Sequence, residues 1–215
     1  MQIKIDDLQF NIPDGNRAYS SYEEELREGL SELRERMPKN LSVIELGGGI
    51  GILSCFLNRK LDNPKKQIVV EANPDLIDII EQNKKINECS FTVLNKVLSY
   101  KENPVFFIDK SFVASSEKRG ASPTNLKKVL VAPIRLKDIV KEKSVLVSDI
   151  EGNDIEIIKN EMNVLKKYIV LTLIEFHPRI TGKCSVFWAI LKLRWNGFKV
   201  LKRIDKSYVL ENTRI

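Results

Sequence analysis

Two acidic residues bracket a run of glycines in this sequence. The stretch Glu45-Leu-Gly-Gly-Gly-Ile-Gly51 has the form acid-x-Gly-x-Gly-x-Gly, with Glu45, Gly47, Gly49 and Gly51 in register and Gly48 between them. Glycines at the end of a strand let the backbone approach a ligand closely and adopt positive φ. A helix that follows adds N–H donors and a positive dipole end. A dinucleotide loop would read G-x-G-x-x-G/A, yet its last position is Ile52 counted from Gly47 and Ser54 counted from Gly49. The pattern suits adenosylmethionine better, because that molecule has no pyrophosphate to cradle and carries an ammonium that Glu45 could meet. Glu71 follows the apolar run Ile68-Val-Val70, where a carboxylate can accept two hydrogen bonds from a ribose diol. Asn95 closes a further apolar run, where its amide could reach the adenine amino group.

A second constellation follows two later apolar runs. Asp149-Ile-Glu151 comes after Val145–Ser148, and Glu175-Phe-His177 after Ile169–Ile174. Methyl transfer from a sulfonium to an alcohol requires alignment of the oxygen with the methyl carbon and removal of a proton. His177 is the only histidine, and an imidazole titrates near neutrality, which suits a base. Asp149 is the alternative base, or a partner for the cofactor's ammonium. Glu151 and Glu175 complete the catalytic candidates, although Glu151 could instead cap a helix beginning near Asp154. Paired carboxylates also invite a divalent metal such as Mg²⁺, but nothing fixes a ligand count and none is expected.

The elements that must position these residues can be read from periodicity. Residues 3–12 alternate as in a short hairpin or edge strand. Tyr19 to Met37 carries one apolar helical stripe, ended by Pro38. From residue 41 strands alternate with helices. Strands are expected at 41–46, 67–70, 91–94, 145–148 and 169–174, and helices at 52–60, 74–87, 154–165 and 184–195, the last with Phe187, Leu191 and Trp195 on one stripe. A closing hairpin turns at Asp205-Lys206. This order indicates an α/β sheet, mostly parallel, with an antiparallel hairpin at the C-terminus and a helical extension at the N-terminus. One domain is expected over 1–215, divided into an extension (1–40) and a core (41–215). The polar stretch 110–128, with Ser115, Ser116, Lys118 and Arg119, is a candidate lid.

Composition bounds the rest. Hydrophobic residues at 43% allow a full core, and a net charge of +6 leaves an anionic partner open. The lysine pairs at 65–66, 84–85, 127–128 and 166–167 are scattered, which disfavours a nucleic-acid footprint. Three cysteines without CxxC spacing argue against a disulfide framework and fit a reducing, cytoplasmic setting. No apolar run is long enough for a membrane span.

Taken in order, the motifs resemble the FkbM-type methyltransferases, a class I, Rossmann-like family. The resemblance covers about residues 41–178: Val43-Ile-Glu-Leu-Gly-Gly-Gly-Ile-Gly51; Val70-Glu-Ala-Asn-Pro74 with Asn83 and Asn87; Val93-Leu-Asn-Lys-Val-Leu-Ser99; Ile134-Arg-Leu-Lys-Asp-Ile139; Ser148-Asp-Ile-Glu-Gly-Asn-Asp154; and Ile174-Glu-Phe-His177. The sequence departs from the commonest form at the loop, where Asp-x-Gly-Ala-Asn is frequent, and at Asn153-Asp154, where Ala-Glu is usual. The resemblance implies that Ala72, Asn73 and Val97 also contact adenosylmethionine. It further implies methylation of a hydroxyl oxygen on a sugar, glycan or small natural product. Two other readings compete: a ribose 2′-O-methyltransferase of RNA, and a non-catalytic protein that keeps the cofactor fold.

Overall fold

The computed structural model describes residues 1–13, 32–33, 35–108, 115–116 and 126–215. The chain opens with a hairpin, β1 (Gln2–Ile5) and β2 (Leu8–Asn11). Strand–helix alternation follows: β3 (Ser42–Leu46), α1 (Ile52–Asn58), β4 (Gln67–Glu71), α2 (Pro74–Ile86) and β5 (Thr92–Asn95). Short strands β6 (Val97–Leu98), β7 (Val105–Ile108), β8 (Ser115–Ser116), β9 (Lys127–Leu130) and β10 (Pro133–Ile134) come next, then the one-turn helix α3 (Leu136–Ile139). The last part holds β11 (Ser144–Ser148), α4 (Asp154–Asn160), α5 (Met162–Tyr168), β12 (Ile169–Glu175), α6 (Pro178–Thr181), α7 (Lys183–Trp195), β13 (Phe198–Ile204) and β14 (Ser207–Asn212).

Seven strands form the central sheet in the order β13-β14-β12-β11-β3-β4-β5. β14 pairs antiparallel with both β12 and β13, while the other neighbours pair in parallel. The C-terminal hairpin therefore does not simply extend the edge; its second strand inserts between β12 and β13. β3 and β11 lie side by side at the centre, and every residue of both is buried. That is why they read as unbroken apolar runs, as parallel strands covered on both faces do. Alternate side chains serve two cores. Val43, Val69, Val145 and Val147 face one with the β1–β2 hairpin, α1 and α2. Ile44, Leu46, Val70, Leu146 and Ile174 face the other with α3, α4, α5 and α7.

One expectation is corrected here. The periodic stretch 154–165 forms two helices rather than one, broken at Glu161. The buried Glu161 carboxylate accepts from the backbone N–H groups of Leu136 (2.9 Å) and Lys137 (2.7 Å) and from the Tyr100 hydroxyl. Serving as the anion at the start of α3 takes its backbone out of helical geometry. Of the expected 19–37 helix, residues 32–33 and 35–36 are helical, and the remainder up to residue 31 lies outside the described residues. The candidate lid falls largely outside them as well: Ser115 and Ser116 form β8, while Lys118 and Arg119 are not described.

The hairpin is fastened to the core by two asparagines about one helical turn apart, Asn83 of α2 and Asn87 at its C-terminal cap. Asn87 accepts from the Gln9 N–H (2.9 Å) and donates to the Gln9 carbonyl (2.7 Å). Asn83 does the same for Asn11, at 2.6 and 3.1 Å. Four helical residues rise about 6 Å and two strand residues about 6.8 Å, so carboxamides at i and i+4 can stand in for a neighbouring strand. Asn83 also donates to the carbonyl of Ile50 (2.8 Å), inside the glycine loop. Asn83→Ala should lower the unfolding free energy by about 2–3 kcal/mol, since it strands buried backbone groups of Asn11 and Ile50. Denaturant titration measures this.

Candidate active site

The glycine loop leaves the carboxyl end of β3 with Gly47, Gly49 and Gly51 all at positive φ. Its start is hydrogen-bonded to the next strand: the N–H groups of Gly47 and Gly48 donate to the Val70 carbonyl at 2.9 and 3.2 Å. On the other side the chain passes so close to β11 that a Cβ on Gly47 would lie 2.0 Å from the carbonyl oxygen of Asp149. Only glycine fits there. A Cβ on Gly49, by contrast, would meet nothing within 4 Å among the described residues, so they leave the loop open on that side.

Glu71 closes the loop from β4. Its carboxylate accepts from the N–H groups of Gly49 (2.8 Å) and Asn73 (2.6 Å), and burial pushes its pKa up to about 7 against those bonds. Asn73 is fully buried and caps α2 by accepting from the Asp75 N–H (3.0 Å), while its Nδ2 has no hydrogen-bond partner among the described residues. Asn95 donates to the carbonyls of Glu71 (2.9 Å) and Ala72 (3.3 Å), holding the end of β4. Val97 is buried in a small cluster with Phe106, Ile108 and Val131, against which Ala72 packs.

Glu45 behaves differently from the other acids of the loop. It is 1% exposed, and Gln67 Nε2 donates to it at 3.2 Å and to the Ser54 carbonyl at 3.0 Å. Asn58 in turn donates to Gln67 Oε1 (2.9 Å). Glu45 thus braces strand against helix, and burial pushes its pKa up to about 8.

The expected catalytic residues do come together. β11 and β12 are neighbours in register, with Ser148 opposite Ile174. His177 Nε2 lies 3.4 Å from Asp149 Oδ1, 3.5 Å from Glu151 Oε2 and 3.6 Å from Glu175 Oε1. Glu151 sits in a tight turn at φ 50°, followed by Gly152 at φ 94°, which turns its side chain toward His177 and not onto the first turn of α4. Burial, then the neighbouring Glu175 and Glu151, raise Asp149 well above the ordinary carboxylate range; burial likewise raises Glu151, against the pull of His177.

Two residues join the site that sequence reasoning did not single out. Lys206, at the tip of the β13–β14 hairpin, places Nζ 2.9 Å from Glu175 Oε1. Its only sequence signal was the turn Asp205-Lys206, and the hairpin's insertion beside β12 brings it to the cluster. Asp154 is 1% exposed at the start of α4, accepts a hydrogen bond from the Ser148 hydroxyl, and has its pKa pushed up to about 6 by burial. Asp149, Glu175 and His177 can each offer one ligand atom within 4.8 Å of the others, a donor set suited to a divalent cation; Lys206 already supplies positive charge to one of the three.

Glu45 gives a pH signature. Its folded pKa lies above the unfolded value near 4.5, so between pH 4.5 and 8 the unfolded chain releases a proton that the folded chain keeps. Stability from this group is therefore lost as pH rises through that window. Glu45→Gln cannot ionise, so its melting temperature should gain on wild type by on the order of 5 °C between pH 5 and pH 8.5. Thermal melts across that range check this.

Comparison with solved structures finds the same fold in methyltransferases. The chain is similar to precorrin-6y C5,15-methyltransferase from Geobacter metallireducens, with 16% identity over 94% of this chain and 91% of that one and a TM-score of 0.53. It is also similar to magnesium protoporphyrin IX methyltransferase from Synechocystis, solved with bound SAM, with 11% identity over 94% and 85% and a TM-score of 0.52. At such identities the likeness is one of fold. No curated protein matches the sequence. The sequence does match the methyltransferase FkbM domain over residues 45–200, from Glu45 of the glycine loop through the Glu175–His177 strand end and on into β13. The chain belongs to the FkbM methyltransferase family.

Proposed function

We propose that this methyltransferase binds adenosylmethionine at the Gly47–Gly51 loop and methylates a hydroxyl oxygen of a sugar, glycan or small natural product. The observation that carries the reading is His177 Nε2 held among three carboxylates at 3.4–3.6 Å, on strand ends beside the glycine loop.

The loop suits the cofactor. Gly49 is open to solvent on the side where a Cβ would project, Glu71 stands at the end of β4 where a ribose diol can be received, and the orphaned Asn73 Nδ2 offers a buried donor. Adenosylmethionine supplies a sulfonium-bound methyl group whose transfer to an alcohol oxygen releases the hydroxyl proton. In this reading His177 accepts that proton at Nε2. Contacts of 3.4–3.6 Å are longer than ordinary hydrogen bonds, so the nitrogen is not committed to any one of the carboxylates. The imidazolium formed is stabilised by Asp149, Glu151 and Glu175, and Lys206 holds Glu175 in place.

One observation favours a second acceptor class. Ribose 2′-O-methyltransferases use a Lys-Asp-Lys-Glu set, and Lys206 beside Glu175 and near Asp149 supplies one lysine of such a set. RNA is accordingly one arm of the test.

Purified protein is incubated with labelled adenosylmethionine and either glycans or RNA, and the methylated atom is identified. Methyl ether on a glycan or small-molecule hydroxyl is expected; transfer only to nitrogen, carbon or RNA would overturn the reading. His177→Ala should cut the rate about 10²–10⁴-fold while leaving cofactor affinity unchanged. Glu71→Ala should instead weaken cofactor binding by roughly tenfold or more, through loss of charge-assisted hydrogen bonds to the ribose. Calorimetry paired with single-turnover rates separates the two effects.

A further inference from the structure

Helix α7 carries its apolar residues on the wrong face for a core helix. Ala189 and Leu193 are buried against the sheet. Phe187, Trp188 and Trp195 are 61%, 58% and 67% exposed, the two neighbouring rings packed edge to face at 5.6 Å. At 100° per residue, Cys184, Phe187, Trp188, Leu191 and Trp195 fall within an arc of about 100°, one continuous stripe on the outward side. Lys183 and Arg194 project just beyond the Phe187 border of that arc, and Lys192 just beyond the Trp188 border.

The charge along this part of the sequence is one-sided, although Lys202 of β13 pairs with Glu32 and Lys192 donates to the Lys159 carbonyl. From Phe176 to Ile204 the sequence holds Arg179, Lys183, Lys192, Arg194, Lys199, Lys202 and Arg203 and not one carboxylate. With that segment set aside, the acids and bases of the chain nearly balance, so this segment accounts for the net charge of +6. The lysine pairs scattered elsewhere had concealed this.

We propose that α7 is a docking surface for an anionic lipid membrane, on which the helix lies in the plane of the interface. An aromatic stripe with flanking cations is the arrangement of interfacial helices, in which rings enter the headgroup region and Lys and Arg meet anionic lipid. At 13 residues the helix is too short to cross a bilayer, and no helix among the described residues is long and apolar enough to do so. A second copy fits the stripe poorly, because antiparallel pairing of two α7 helices brings Lys183 of each toward Arg194 of the other. The stripe begins beside the active site: α6 precedes it, and Thr181 lies 2.6 Å from where a Cβ on Gly152 would be.

The chain contains only two tryptophans, Trp188 and Trp195, and both lie on the stripe, so its intrinsic emission reports directly on this surface. The full chain is titrated with vesicles of phosphatidylcholine alone and of phosphatidylcholine mixed with phosphatidylglycerol. Blue-shifted emission and cosedimentation with the mixed vesicles only, diminishing as salt is raised, is the expected result. Lys183→Glu combined with Arg194→Glu should weaken binding roughly tenfold or more, and Phe187→Ser should weaken it with unchanged circular dichroism. The proposal is overturned by unshifted emission with anionic vesicles or by equal binding to neutral ones. It is equally overturned if emission blue-shifts with protein concentration as the chain sediments as a dimer, which assigns the stripe to a second copy. Emission already blue and shielded from quencher in the free protein would assign it to the chain's own cover.

Discussion

The active site depends on how closely two parallel strands approach at their carboxyl ends. β3 and β11 are neighbours, and the chain leaving β3 passes the Asp149 carbonyl at a distance that admits no Cβ on Gly47. The Asp149 N–H donates back to the Leu46 carbonyl at 2.9 Å, so the glycine loop and the Asp149–Glu151 turn are joined through backbone as the strands diverge. A larger residue at 47 would separate the two halves of the site. This single steric requirement explains why the loop must start with glycine, and it sets the distance from the cofactor loop to Asp149, Glu151 and His177.

Around that junction the fold uses buried polar groups as fixed struts. Glu45, Gln67 and Asn58 connect β3, β4 and α1 beneath the loop, and Asn83 holds the Ile50 carbonyl from α2. Glu161 does similar work for α3 at the expense of helix continuity. Buried polar groups are costly unless satisfied, and satisfied ones specify a single arrangement. The loop is thereby set before any ligand arrives, which lowers the ordering cost of binding.

The cluster around His177 is held the other way, by opposed charge. Three carboxylates converge on one imidazole, and the Lys206 ammonium beside Glu175 offsets part of their mutual repulsion. Burial first, and the neighbouring carboxylates second, raise the pKa values of Asp149 and Glu151. Such crowding adds little to stability and concentrates at sites that move protons.

Strands β3, β4, β11 and β12 were legible because residues buried on both faces leave continuous apolar runs, and the glycines and acids at their ends stood out against those runs. The family followed from the same ordered motifs. The sequence could not separate Glu45 from Glu71, since both are acids near one loop; the structure buries the first under α1 with Gln67 and leaves the second at the mouth of the loop, 2.8 Å from the Gly49 N–H. Nor could it assign Lys206, which reaches Glu175 only because β14 inserts between β12 and β13. On α7 the periodicity of Phe187, Leu191 and Trp195 was correctly visible, but periodicity gives a stripe and not its direction. Sequence by itself determined the elements, the glycine loop and the candidate acids and base, because those are local patterns of burial and chemistry. Tertiary structure alone decided which acids are struts, which face the histidine and which way the aromatic helix turns, because these depend on strand order and on contacts between residues distant in the chain.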